Sequence, residues 1–283
     1  MYGRQEAGLV ISPMGIGEVL DAGFNLARRH YRWLVGVTAW GAVPSYALLA
    51  LGSILTGMGT QESSSAAAAV LGGGIATLCF AVGTTVTSAA LIIACGRIIA
   101  PTGNPEEWTA GDLYGEAAGR IFAILRMGLL YLVTAIPLAI VFPLGVFVWV
   151  RWSVALVATL IEGTGARASL GRSWHLTKGS WWHTAIVVIG SSFIVGILSG
   201  MVGGLFGGGG ALLGLLTGNK LLESVLSAAG QGLGFVLVEA FSVAILTVLY
   251  FELRARTEGY DLERRGLEIA AGQNDPGQLG SGN

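Results

Sequence analysis

Charged residues are scarce in this sequence of 283 residues. Lysine, arginine, aspartate and glutamate make up 12% of it, about half the share of a typical soluble domain, and the mean hydropathy is +0.69. A chain of this composition cannot solvate a surface in water, so we expect lipid to be its solvent. The formal net charge of -1 gives no indication of nucleic acid as a partner.

Cysteine and histidine are also rare, which leaves few residues for redox or metal chemistry. Cys79 and Cys95 fall in one apolar segment. One helix cannot bring them within the roughly 7 Å between Cα atoms that a disulfide requires, so the sequence indicates buried free thiols. His30, His175 and His183 lack the spacing of a metal-binding pair with a nearby carboxylate. We therefore expect no metal, no cofactor and no catalytic residue.

Long apolar segments are what the sequence does contain. A spanning helix needs about 20 apolar residues, and an all-α, polytopic membrane domain over residues 1–270 follows from six such segments. They are residues 33–56, 68–94, 121–142, 145–161, 184–201 and 232–251.

Glycine and proline mark the predicted connections between these spans. Pro143-Leu144-Gly145 predicts the turn between the third and fourth spans. The glycine-rich segment 203–218 predicts a flexible outer loop or a re-entrant segment, with a short helix from Leu221 before the sixth span. Its run Gly207–Gly210 lacks the Lys-Ser/Thr that follows a phosphate-binding loop. Residues 271–283 are predicted to be a disordered tail.

The cations predict an orientation. With six spans, every lysine and arginine except Arg151 and Lys220 falls on the side that holds both chain ends. The positive-inside rule makes this side cytoplasmic. Aromatic and basic residues predicted at this cytoplasmic interface, where cations attract anionic lipids, are Arg28, Arg29, Arg32, Trp174, Lys178, Trp181, Arg254 and Arg256.

Amphipathic segments precede the odd-numbered spans. Residues 16–34 and 167–182 each place apolar side chains on one helical face and charges on the other, as in helices that lie in the membrane interface. A shift of 150 positions aligns Phe24 with Trp174, and Tyr31 with Trp181. A weaker segment, 109–122, begins with the N-cap pattern of Thr109 and Asp112. We interpret the chain as three units, each an interfacial helix followed by a helical hairpin; convergence on a common interface pattern is the alternative.

Two charges, Arg151 and Glu239, fall inside predicted spans. Charge at membrane depth costs about 3 kcal/mol or more and is rarely left facing lipid. Counted from the cytoplasmic ends of their spans, both lie roughly 15–18 Å deep, so an ion pair is geometrically possible. One interpretation is a structural pair that fixes helix packing. The other is a polar binding site for a substrate, an ion or a proton.

Three segments resemble one bacterial family. They are "GIGEVLDAGFNLARRHYRWL" (15–34), "EGTGARASLGRSWHLTKGSWWHTAIVV" (162–188) and "LYFELRARTEGYDLE" (249–263). Together they resemble the membrane domain associated with glycerophosphoryl diester phosphodiesterases, which often occurs as a stand-alone six-helix protein. The resemblance implies a bacterial plasma membrane. It does not imply hydrolase activity, because the catalytic domain and its His-Arg start are absent: His30 precedes Tyr31, and His175 precedes Leu176.

Three hypotheses for function follow. The first is a non-enzymatic membrane module that binds membrane lipids or a partner protein at its cytoplasmic face, in an oligomeric state that the sequence leaves open. The second is a transporter or lipid-handling protein that uses Arg151 and Glu239. The third, an enzyme embedded in the membrane, needs a convergent catalytic cluster, and the sequence offers none.

Overall fold

A computed structural model describes residues 13–59, 66–99, 108–140 and 142–259. These residues form helices and no strand, so the predicted all-α class is confirmed for the part of the chain described. The predicted tail 271–283 lies outside these residues. In chain order the helices are α1 (Ile16–Arg29), α2 (Tyr31–Gly59), α3 (Ala66–Ile99), α4 (Ala110–Gly119), α5 (Ile121–Ile140), α6 (Phe142–Trp152), α7 (Ala155–Glu162), α8 (Ala166–Leu176), α9 (Trp181–Thr217) and α10 (Lys220–Glu258).

Five stretches of helix are long and apolar enough to cross a membrane. They are Tyr31–Ile54, Gly73–Ile99, Leu144–Glu162, Trp181–Thr217 and Leu221–Glu258. α5 adds a shorter apolar stretch, Ile121–Tyr131. These lengths and compositions fit a multi-pass membrane protein. A sixth span, the hairpin arrangement and the sidedness of the chain stay predictions.

The glycine-rich segment is helical, so the prediction of a loop or re-entrant segment there is wrong. α9 continues without interruption to Thr217, and the short helix predicted from Leu221 is the beginning of α10. Gly207, Gly210 and Gly214 are buried, and a β-carbon at Gly210 would overlap the side chain of Leu226. The absence of side chains lets the two backbones approach closely, which is how membrane helices associate in lipid.

The apolar stretch 142–162 contains two helices rather than one. α6 ends at Trp152 and α7 begins at Ala155, and the Ser153 hydroxyl donates a hydrogen bond to the carbonyl of Val150 in the intervening turn (2.9 Å). Pro143 lies in the first turn of α6 and not in a turn between spans. A proline costs no helical hydrogen bond in that position.

α1 packs against the C-terminal part of α10, and its predicted position at the membrane interface stays a prediction. At its start, Arg256 donates to the carbonyl of Met14 (2.9 Å). Just past its end, the Tyr31 hydroxyl donates to the carbonyl of Leu237 (3.0 Å). Between these points a β-carbon at Gly23 would overlap α10 at Ile245. α1 is amphipathic, and α10 contacts its apolar face at Gly23.

The predicted correspondence between the first and third units appears in side-chain exposure. Residues 17–34 and 167–184 have the same order of buried, half-buried and exposed positions throughout. The segment 117–124 repeats the order of 27–34, and the Thr109–Asp112 capping box is present at the start of α4. The shift of 150 positions therefore relates segments that present the same face to the rest of the protein.

Candidate functional site

Arg151 belongs to the contact between α6 and α8. Its guanidinium lies over the rings of Phe147 and Trp174, 5.2 and 5.1 Å from their centres. It also reaches the Trp174 carbonyl and the Thr177 hydroxyl, both at 3.4 Å. The Ser173 hydroxyl donates to the Arg151 carbonyl (2.7 Å). These contacts hold α8 against α6, and cation–π attraction strengthens such a contact where water is excluded.

Glu239 belongs to a different contact, between α3 and α10. The Ser88 hydroxyl donates to Oε1 of Glu239 (2.7 Å). The described residues contain no ion pair between Glu239 and Arg151, so the pairing that their predicted equal depth made possible does not form. Arg151 contacts α8, and Glu239 contacts α3.

Two of the predicted interface cations are engaged inside the protein. Arg256 binds the buried carboxylate of Glu252 (2.6 Å), and Arg254 lies 3.3 Å from Glu258. Sequence analysis missed the most connected cation, Arg172, which bridges Glu162 on α7 (2.9 Å) and Glu258 on α10 (2.8 Å). The Arg172 ion pairs tie α8 to the ends of α7 and α10, whereas the pairs of Arg254 and Arg256 lie within α10.

The other predicted interface residues lie at the surface or against Phe147. Trp181 stacks on Phe147 with ring centres 5.5 Å apart, and Trp174 meets the same ring edge-on. Lys178 is exposed on the turn after α8. Arg28, Arg29 and Arg32 are exposed around the junction of α1 with α2 and make no ion pair within the described part of the chain. We call these three residues the arginine cluster.

An apolar groove runs between α2 and α10 with a volume of about 480 Å³. We call it the α2–α10 groove. Small side chains leave this space open. Its lining residues are Ala39, Ala42, Val43, Tyr46, Ala47, Ala50, Val225, Ala228, Ala229, Gly232, Leu233 and Val236.

Arg32 of the arginine cluster and the groove share one face of α2, whereas Arg28 and Arg29 lie at the end of α1. Arg32, Gly36, Ala39 and Val43 follow each other at intervals of three or four residues, which places them along one stripe of a helix. Gly36 is exposed, and nothing lies within 4 Å of where its β-carbon would be. At about 1.5 Å per residue, Arg32 precedes the groove at Ala39 by about 10 Å. Along this stripe, the cation Arg32 is followed by the uncovered surface at Gly36 and then by the groove at Ala39.

Tyr46 lies in the wall of the groove, and sequence analysis did not single it out. Its ring meets Phe80 edge-on and lies 5.9 Å from Phe235. Gly232 provides room for this ring, since a β-carbon there would sit 3.1 Å from it. The sequence signal for the groove is the run of small residues that follows Arg32 at helical spacing. It carries no distinctive residue type, so it is visible only when two helices are known to be neighbours.

The arginine cluster and the α2–α10 groove offer two kinds of binding group. The described residues contain no group of three or more histidine, cysteine, aspartate or glutamate side chains that is able to hold a metal ion. Arginine binds phosphate through bidentate hydrogen bonds, and an apolar groove of this size suits an alkyl chain. The resemblance to the phosphodiesterase membrane-domain family stays a prediction. Comparison of the chain with family models, curated proteins and solved structures finds no match.

Proposed function

We propose that this protein is a non-enzymatic integral membrane module that binds a phospholipid at its cytoplasmic face. The phosphate lies at the arginine cluster and one acyl chain lies in the α2–α10 groove. The observation that carries the proposal is the continuous stripe on α2 from Arg32 through Gly36 to Ala39, which joins the two parts of such a ligand on one helix face.

The proposed setting is a bacterial plasma membrane crossed six times, with both chain ends in the cytoplasm. α5 supplies the sixth crossing. In this orientation the arginine cluster lies at the headgroup level of the inner leaflet, where each cation near an anionic surface contributes about 1 kcal/mol of attraction. The groove then extends from that level toward the outer leaflet.

Burial of the acyl chain in the groove adds little to this general attraction. Each CH₂ group removed from water contributes about 0.8 kcal/mol, but a chain already in the bilayer gains only what tighter packing gives. The groove therefore selects position and orientation, and the arginines supply most of the preference for this site over bulk lipid. Removing the arginine cluster should weaken lipid binding more than filling the groove.

Native mass spectrometry in mild detergent, with one synthetic phospholipid titrated into delipidated protein, tests the proposal. Converting Arg28, Arg29 and Arg32 together to glutamine should weaken binding by about 3 kcal/mol, or about a hundredfold, at low salt. Lys178→Gln is the matched control, because Lys178 is exposed at the position equivalent to Arg28 but has no small-residue stripe beside it. Equal effects of the two variants would remove the basis of the proposal.

A variant that fills the groove provides a second, independent test of the proposal. Ala47 lines the groove and is exposed, so Ala47→Phe should occupy the space without disturbing the core. The control is Ala81→Phe, at an exposed position of α3 outside the groove lining. The first variant should reduce lipid binding several-fold and the control should not. Binding unchanged by Ala47→Phe would place the acyl chain elsewhere.

Transport or lipid handling around Arg151 and Glu239 is the alternative function. The two side chains belong to separate helix contacts, and neither lines the α2–α10 groove. This separation gives no support to one site that uses both.

A protein partner at the cytoplasmic face is compatible with the same arginine cluster, and binding of a soluble protein instead of lipid in a pulldown would favour it.

A further inference from the structure

A second groove lies between α5 and the start of α8, with a volume of about 540 Å³. We call it the α5–α8 groove. Phe122, Arg126 and Leu129 of α5 contribute to one wall, and Gly165 and Ala166 form the other. The three α5 residues recur at intervals of three or four, so they share one stripe of the helix. The lining of the groove is apolar apart from this one arginine.

Arg126 is the single charged residue of α5. Its side chain is exposed and makes no ion pair within the described part of the chain. Glu116 and Glu162, the carboxylates nearest to the groove in sequence, are bound by other arginines. A charge on an apolar helix of this kind is rarely left facing lipid without a partner. A ligand with a negative charge would supply that partner.

The start of α8 adds positive potential to the same groove. Gly165 is its N-cap and has no side chain to accept hydrogen bonds from the first N–H groups of the helix. The first turn contains Arg167 and no acidic residue. Free N–H groups and the helix dipole favour an anion at such an end. Ala166 packs with Met127, the residue after Arg126, so this end of α8 and Arg126 flank one space.

The rest of the groove suits an alkyl chain. Phe122 and Leu129 are exposed, and Val133, which is also exposed, continues their stripe toward the end of α5. An inorganic anion gains nothing from these side chains, whereas an acyl chain would cover them. The positive charge and the apolar stripe together indicate one occupant with an anionic group and an alkyl chain.

We propose that the α5–α8 groove binds an anionic phospholipid, whose phosphate lies between Arg126 and the start of α8. One acyl chain of this lipid lies along Leu129 and Val133. The site is separate from the arginine cluster and the α2–α10 groove, so it does not rest on the function proposed above.

Native mass spectrometry tests this site, with a synthetic phospholipid that carries a glycerol headgroup titrated into the delipidated full chain. Arg126→Gln should weaken the binding of one lipid by about tenfold, as expected for one hydrogen bond between charged groups. Lys178→Gln is the matched control, because it removes an exposed cation just past the other end of α8 and should have no effect. A choline-headgroup lipid with the same acyl chains carries no net charge and should bind this site more weakly.

A second pair of variants changes the charge at the start of α8 and keeps the helix capped. Gly165 is exposed, its φ of -70° suits other residues, and nothing lies within 4 Å of its β-carbon position. Aspartate and asparagine both cap helices well, so neither variant should lower the melting temperature. Gly165→Asp should weaken lipid binding more than Gly165→Asn, because only aspartate repels the phosphate.

Repeating the titrations in the triple arginine variant separates this site from the arginine cluster. A lipid whose binding still depends on Arg126 in that variant supports the α5–α8 site, even where the function proposed above fails. Equal effects of Arg126→Gln and Lys178→Gln overturn the site, as does equal binding by Gly165→Asp and Gly165→Asn. A dimer that forms in the wild type and is lost in Arg126→Gln would also overturn it and assign the groove to a second copy of the chain.

Discussion

Gly230 of α10 packs directly on the backbone of Gly207 of α9, so closely that a β-carbon at position 230 would overlap the backbone nitrogen of Gly207. The contact lies in the part of α9 where buried glycines recur toward α10. Close backbone approach of this kind is the main source of association between helices in lipid, where no hydrophobic force acts between them.

Gly230→Ala should therefore separate α9 from α10 and lower the melting temperature in detergent. The matched control is Gly204→Ala, because Gly204 is exposed on α9 and nothing lies within 4 Å of its β-carbon position. Alanine is the better helix former by about 0.5–1 kcal/mol, so the control should be neutral or stabilising. A Gly230→Ala protein as stable as the control would contradict the packing described.

Arg172 should be the most costly of the arginines in α8 and α10 to remove. It binds Glu162 and Glu258 on two other helices, and the hydrogen bonds that it donates to Glu258 and Glu162 raise its pKa. Arg172→Gln should lower the free energy of unfolding by about 1–3 kcal/mol, because two partly buried carboxylates lose a charged partner. Arg167→Gln, at an exposed position on the same helix, should change it by less than about 0.5 kcal/mol. Denaturant titration of both variants in the same detergent checks this.

The N-cap of α4 should give a pH-dependent contribution to stability. Hydrogen bonds from the Thr109 hydroxyl and backbone N–H hold the pKa of Asp112 below its ordinary value of 3.8. A lowered folded-state pKa contributes stability above about pH 3.8, and this contribution is lost as the pH falls through the folded value.

Thr109→Val removes the hydroxyl from this cap. The difference in stability between Thr109→Val and the wild type should be largest at neutral pH. It should become smaller below about pH 3.8. Thr217→Val is the control, because the Thr217 hydroxyl binds a backbone carbonyl of its own helix and no titrating group. Melting curves collected between pH 3 and 7 should show a pH-dependent difference for Thr109→Val only.

Much of the fold is readable from the sequence because lipid imposes a simple rule. A helix in the bilayer must be apolar for about 20 residues, so the positions of the long helices follow from hydropathy. The Thr109–Asp112 cap and the exposure repeat between residues 17–34 and 167–184 also follow from local patterns. These features depend only on residues that are close to one another in the sequence, so the sequence is enough to predict them.

The errors concern which helices touch. The sequence predicts a loop at Gly207 and its neighbours because glycine weakens an isolated helix. In the structure, packing against α10 keeps these residues helical. Arg151 and Glu239 looked like partners because equal counts from helix ends suggest equal depth. Their real partners, Trp174 and Ser88, belong to helices whose contacts no local pattern indicates.

Only one of the two parts of the candidate lipid site can be predicted from the sequence. The arginine cluster is evident as a run of cations, and it was predicted to face anionic lipid. The groove needs α2 and α10 side by side, and the sequence separates Ala47 from Ala229 by most of the chain. Alanine and glycine in an apolar helix carry no signal that distinguishes a groove from ordinary packing.

Photocrosslinking tests the central claim most directly. The protein would be reconstituted into nanodiscs with a phospholipid that carries a diazirine in its acyl chain, irradiated, and mapped by peptide mass spectrometry. The account predicts adducts concentrated on residues 39–50 of α2 and 225–236 of α10, lost in Ala47→Phe and in the triple arginine variant but retained in Ala81→Phe. Adducts spread evenly over the exposed faces of α2, α5 and α9, unchanged by these variants, would contradict a specific lipid site.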